Sequence, residues 1–105
     1  MIRHIVLIRF PATLPEARIA DLFAELHRIR DKVPGLIAIT SGRSESPEQM
    51  ERGYMHGFVV DFSDWAPLQA YQDHPEHRVL GAKLVAAAAG GKDGILCLDL
   101  DCSAG

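Results

Sequence analysis

The apolar pattern of this chain switches between a two-residue and a helical period in a fixed order, and that order leaves few folds open. Residues 2–10 alternate, with Ile2, His4, Val6, Ile8 and Phe10 on one face and Arg3, Ile5, Leu7 and Arg9 on the other, as in a strand apolar on both faces at its middle. Thr13-Leu14-Pro15-Glu16 has the pattern of a capping box with an early proline, and Ile19, Leu22, Phe23, Leu26, Ile29 and Val33 then recur at helical spacing. This predicts an amphipathic helix of about five turns, ended by Pro34-Gly35. Leu36–Thr40 reads as a second strand, and the polar stretch Ser41–Gly53 as an exposed loop. Tyr54, His56, Phe58, Val60 and Phe62 then share one side of a third strand. Ser63 or Asp64 caps a short helix through Trp65, Leu68 and Tyr71, which breaks at His74 because the residue before a proline avoids the α region. A helix starting at Pro75 runs through Val79, Leu80, Leu84 and Val85 to Gly90-Gly91, and Ile95–Leu100 is the last strand.

The order β-α-β-β-α-β, without an internal linker, predicts one α+β domain over residues 1–105: a ferredoxin-like antiparallel sheet with helices on one face. A length of 105 residues suits one such domain. The sheet face carrying Ile5, Leu7 and Val59 then lacks a cover, and a second copy packed sheet to sheet is the simplest one, so a two-fold homodimer is expected. The net charge of −3 and the absence of a Lys/Arg cluster argue against nucleic acid or an anionic membrane as partner. Leu84–Ala89, the longest apolar run, is far short of the ~20 residues of a membrane span. The N-terminal apolar stretch breaks at Arg9 without a small-residue cleavage site, so a cytoplasmic protein is expected. Cys97 and Cys102 read as two inert thiols.

Five histidines supply most of the titratable chemistry. His27, between Glu25 and Arg28 on the first helix, faces solvent in this reading. His4 and His56 are each the lone polar residue on an apolar strand face, where a histidine is either a hydrogen-bonded core residue or a working one, and their separation depends on strand register. Tyr71, His74 and His77 surround the break at Pro75. With Pro75 at the first helical position, His77 falls in the first turn, where the helix dipole disfavours imidazolium and keeps a general base neutral. The same segment also reads as a plain helix-start device. His74 and His77 with Asp73 or Glu76 have the spacing of a metal chelate, but the closely set Cys/His ligands or HExxH helix of zinc sites do not occur, and no metal or cofactor is expected. No phosphate-loop spacing or local nucleophile motif occurs either.

Ile2-Arg3-His4-Ile5-Val6-Leu7-Ile8-Arg9-Phe10, Val33-Pro34-Gly35, Gly53-Tyr54-Met55-His56-Gly57-Phe58-Val59-Val60 and Tyr71-Gln72-Asp73-His74-Pro75-Glu76-His77 together resemble the stress-responsive A/B barrel (Dabb) family, in order and over nearly the whole chain. The resemblance implies a ferredoxin-like fold that dimerises into an α/β barrel. Some plant members are polyketide cyclases that close a linear poly-β-ketone by aldol condensation without cofactor. In those relatives the residues matching His4, His56, Tyr71 and His77 line the pocket. The resemblance thus implies that His77 removes a proton from an activated carbon, that Tyr71 hydrogen-bonds the carbonyl becoming an enolate, and that His4 and His56 orient the substrate. Two functions stay open on this reading. One is a cofactor-free cyclase or lyase acting on a small, apolar carbonyl compound, and the other a non-catalytic dimeric stress-response or ligand-binding protein using the same pocket. An oxygenase, as in related dimeric barrels, ranks third.

Overall fold

Alternation and helical spacing carry through into the computed structural model, which describes residues 1–103. The elements are β1 (Ile2–Ile8), α1 (Glu16–His27), β2 (Leu36–Arg43), β3 (His56–Phe62), α2 (Trp65–Asp73), α3 (Pro75–Ala87) and β4 (Ile95–Asp101), with tight helical turns at Arg30–Lys32 and Gly91–Gly94. The strands form one sheet in the order β2-β3-β1-β4, antiparallel throughout. Helices cover one face, as in the ferredoxin-like arrangement expected from the order of elements. No helix of the described residues is long and apolar enough to cross a membrane.

The central strand β1 turns Ile2, His4, Val6 and Ile8 toward the helices, where all four are buried. They meet Ile19, Leu22, Phe23 and Leu26 of α1, Phe58, Val60 and Phe62 of β3, and Leu68, Tyr71, Leu80 and Leu84 of the second helical segment. The other face is uncovered. Ile5, Leu7 and Val59 are half-buried there, and Leu98, paired with Ile5, is 42% exposed between Leu96 at 45% and Leu100 at 43%. The three β4 leucines extend the apolar face read from β1 and β3.

Several boundaries differ from the sequence reading. α1 starts at Glu16, with Pro15 as its cap residue and no side-chain cap, so the Thr13 capping box does not form; the Pro15 carbonyl takes the Arg18 and Ile19 amides instead. The expected five turns stop at His27, and a tight turn then brings Ile29 and Val33 to the core while leaving Val33 extended before Pro34. Gly35 makes the following reversal at φ +90°, where a Cβ would lie 2.4 Å from the Pro67 ring. β2 runs on to Arg43, into the stretch read as loop, because Ser41, Gly42 and Arg43 pair with Phe58, Gly57 and His56. Asp64, not Ser63, caps α2 by accepting from the Trp65 amide at 2.9 Å.

Candidate active site

Three elements bring His4, Tyr71 and His77 together. His4 sits on the helix side of β1, Tyr71 in the last turn of α2, and His77 in the first turn of α3. The break between α2 and α3 sets the geometry. His74 is extended at φ −63°, ψ 133°, closes α2, and caps α3 by accepting from the Glu76 amide at 3.2 Å through Nδ1. Pro75 therefore opens α3, and His77 turns back over α2, its Nδ1–H donating to the Gln72 carbonyl at 3.2 Å. That bond fixes the tautomer of a neutral ring and leaves the Nε2 lone pair free to accept a proton.

The rings of Tyr71 and His77 lie 4.3 Å apart, and His4 meets Tyr71 edge-on at 5.8 Å. Tyr71 is wholly buried, also against Phe62, and its hydroxyl has no hydrogen-bond partner among the described residues. Burial pushes its phenol well above the ordinary value, helped by Cys97, so it is a proton-bearing donor at neutral pH. Burial lowers the pKa of His77 below its ordinary value; the Gln72 carbonyl opposes this, while His4 and His74 add to it. A neutral imidazole and an undissociated phenol thus stand side by side, able to take a proton at one point and give a hydrogen bond at another.

His4 is 4% exposed, and its Nδ1–H donates to Asp99 Oδ1 at 2.6 Å. Cys97 Sγ lies 3.7 Å from the same nitrogen, with its thiol pKa raised by burial and by Asp99. Neither β4 residue stood among the sequence candidates. Their sequence signal is the alternation Cys97-Leu98-Asp99, which puts both on one face, but only the β1–β4 register, pairing His4 with Asp99 and Val6 with Cys97, joins them to His4.

His56 is placed elsewhere. It pairs with Ile8, and His4 pairs with Val60, which separates the two histidines by four strand positions, roughly 13 Å along the sheet. His56 is 8% exposed, donates from Nε2 to Glu16 Oε2 at 2.9 Å, and packs edge-on against Phe10. The pocket implied for all four residues is therefore divided: His4, Tyr71 and His77 form one cluster, and His56 borders a separate depression of ≈ 340 Å³ with Glu16 and Arg43. His77, but neither Tyr71 nor His4, lines a wider surface depression of ≈ 560 Å³ between Gln72 and Lys92. Around the break, Glu76 is paired with Lys32 at 2.6 Å, and the Nδ1 atoms of His74 and His77 are engaged by local backbone. His27 is exposed and bonds Ser41 Oγ at 2.8 Å.

The family model of the stress responsive A/B barrel domain matches residues 2–102. A dimeric ferredoxin-like protein of unknown function from Jannaschia sp. CCS1 is 35% identical, with 96% of this chain and 98% of that one aligned at a TM-score of 0.89. A hydroxynitrile lyase from Passiflora edulis aligns with a TM-score of 0.84 at 19% identity, over 99% of this chain and 94% of its own. A Dabb family protein with a ferredoxin-like fold from Mesorhizobium loti gives 0.73 at 22%, over 97% and 96%. At these last two identities the likeness is one of fold. No curated protein matches the sequence.

Proposed function

The chain belongs to the stress responsive A/B barrel domain family, and from that premise we propose that it is a carbonyl-directed lyase or cyclase in which His77 is the general base and Tyr71 the hydrogen-bond donor to the developing enolate. The observation that carries this reading is the buried, unpartnered hydroxyl of Tyr71 beside the free Nε2 of His77. A buried hydroxyl without a protein acceptor calls for a non-protein one, and a substrate carbonyl supplies it. His77 Nε2 takes a proton from a carbon flanked by carbonyls, the negative charge moves onto the oxygen held by Tyr71, and the enolate then attacks a second carbonyl or expels a leaving group, the His77 imidazolium returning its proton to the new alkoxide or to the departing group. His4, braced by Asp99, packs against the Tyr71 ring and positions it. His56 stands too far along the sheet for that substrate. The hydroxynitrile lyase among the structural neighbours supports a carbonyl chemistry on this fold.

The working unit in this proposal is a homodimer closed sheet to sheet over Ile5, Leu7, Val59, Leu96, Leu98 and Leu100. The uncovered leucines support it, as does the dimeric state of the 35%-identical relative.

The test is exchange of the central methylene protons of a simple 1,3-diketone for deuterium, followed by NMR. His77→Ala is expected to abolish enzyme-dependent exchange with little change in melting temperature, and Tyr71→Phe to slow it roughly a hundred- to a thousandfold. Exchange that persists in His77→Ala, or that wild type never accelerates over a panel of carbonyl compounds, favours the ligand-binding alternative.

A further inference from the structure

We propose that His4, Cys97 and Asp99 form a binding site for a divalent metal ion that accepts a thiolate ligand, zinc in the first place. Among the described residues these three bring an imidazole nitrogen, a thiol sulfur and a carboxylate oxygen all within 4.8 Å of one another. The sheet builds the group. Cys97 and Asp99 point to one face of the edge strand β4, and register sets them beside His4 on β1.

The distances suit a chelate better than a catalytic relay. In a cysteine–histidine–aspartate relay the thiol and the carboxylate engage opposite ring nitrogens. Here Asp99 Oδ1 is 2.6 Å from Nδ1, and Cys97 Sγ is nearer to Nδ1, at 3.7 Å, than to Nε2, at 4.0 Å. Sγ is thus nearly equidistant from the two ring nitrogens and is not lined up on Nε2 opposite the carboxylate, as a relay thiol would be. Tetrahedral zinc with ordinary bond lengths puts nitrogen and sulfur ligands ~3.6 Å apart, and nitrogen and oxygen ligands ~3.3 Å apart. Sulfur stands at that spacing from Nδ1, but a tetrahedral ion on Nδ1 holds it roughly 5 Å from Nε2, against 4.0 Å here, so the imidazole must turn as the ion enters. The carboxylate must retreat by roughly 0.7 Å as the ion replaces the shared proton, and Asp99, with 27% of its side chain exposed on the sheet edge, has room to do so.

Imidazole, thiolate and carboxylate together are a donor set suited to zinc. Three protein ligands leave the fourth position for water or a ligand atom. Beside the donors, the Tyr71 ring packs edge-on against His4. His4 is buried while Cys97 is exposed, so an ion reaches the site from the edge of the sheet. The proposal goes beyond the proton-transfer reading and does not depend on it.

The experiment is titration of untagged, chelator-treated protein with Zn²⁺ by calorimetry, and with Co²⁺ by absorption spectroscopy. One ion per chain is expected, with a near-ultraviolet thiolate-to-cobalt charge-transfer band. Cys97→Ser and Asp99→Asn, which nearly preserve shape, are expected to weaken binding by at least about a hundredfold, the upper end of what losing a supporting group alone costs. Cys97→Ser also abolishes the band, whereas Cys102→Ala leaves band and affinity unchanged. Circular dichroism melts confirm that each variant is folded. No binding by wild type, binding without the band, or unchanged affinity in Cys97→Ser overturns the proposal. Because the readout is bound metal and not turnover, this result stands apart from the diketone experiment.

Discussion

Tyr71 sets stability against chemistry within one side chain. Its ring fills the core between Phe62, His4 and His77, while its hydroxyl is buried without a partner. Removing such a hydroxyl relieves a desolvation penalty, so Tyr71→Phe is expected to raise unfolding free energy by about 1 kcal/mol in urea titrations while proton exchange falls; a loss of stability would show that the hydroxyl is satisfied after all. His77 gives a pH prediction. Folding holds its pKa below the ordinary 6.5, mainly by burial. The unfolded chain therefore binds more protons than the folded one as pH falls through about 6.5, so His77's contribution to stability is intact above that pH and is lost on acidification toward its own lower pKa. His77→Gln is expected to flatten that part of the stability–pH curve, and the acid limb of wild-type exchange to lie below the ordinary histidine value. His4, Tyr71 and His77 could be picked from the sequence by type and motif. The Asp99 and Cys97 partners of His4 could not, because they meet it through a register that neither strand specifies alone.

At the scale of elements, periodicity and punctuation located every strand and the helix break. Asp64 and Pro75 mark helix starts through local chemistry, so they read directly from sequence. Ends set by tertiary contact did not: α1 stops at His27 without a local stop signal, and β2 continues to Arg43 because β3 offers it partners. The division of the two strand histidines belongs here too. His4 and His56 share a face by alternation, yet only the antiparallel pairing puts them at opposite ends of the sheet. The His74 cap gives the element its test. His74→Ala should cost about 1 kcal/mol, with His74→Asp restoring most of it, since either an imidazole nitrogen or a carboxylate can accept the Glu76 amide. Equal stability of the two variants, measured in urea, would mean that Pro75 alone defines the start of α3.

For the molecule as a whole, the two faces of the sheet divide the work. The helix face holds the core and the His4–Tyr71–His77 cluster, whereas the open face carries Ile5, Leu7, Val59 and the three exposed leucines of β4. Such an apolar surface is costly to leave in water, and a two-fold partner presenting the same surface would cover it with self-complementary contacts. Leu98 faces Ile5 in the middle of that surface, so Leu98→Asp puts a charge where each partner would have to desolvate it. The variant is expected to run as a monomer by light scattering where wild type runs as a dimer. Because Leu98 points away from Cys97 and Asp99, the monomer should keep near-native circular dichroism and, in the zinc titration, most of its affinity. A Leu98→Asp variant that stays dimeric would place the interface elsewhere on the molecule. One that loses zinc binding along with dimerisation would show that the second copy holds β4 in the register on which the cluster depends.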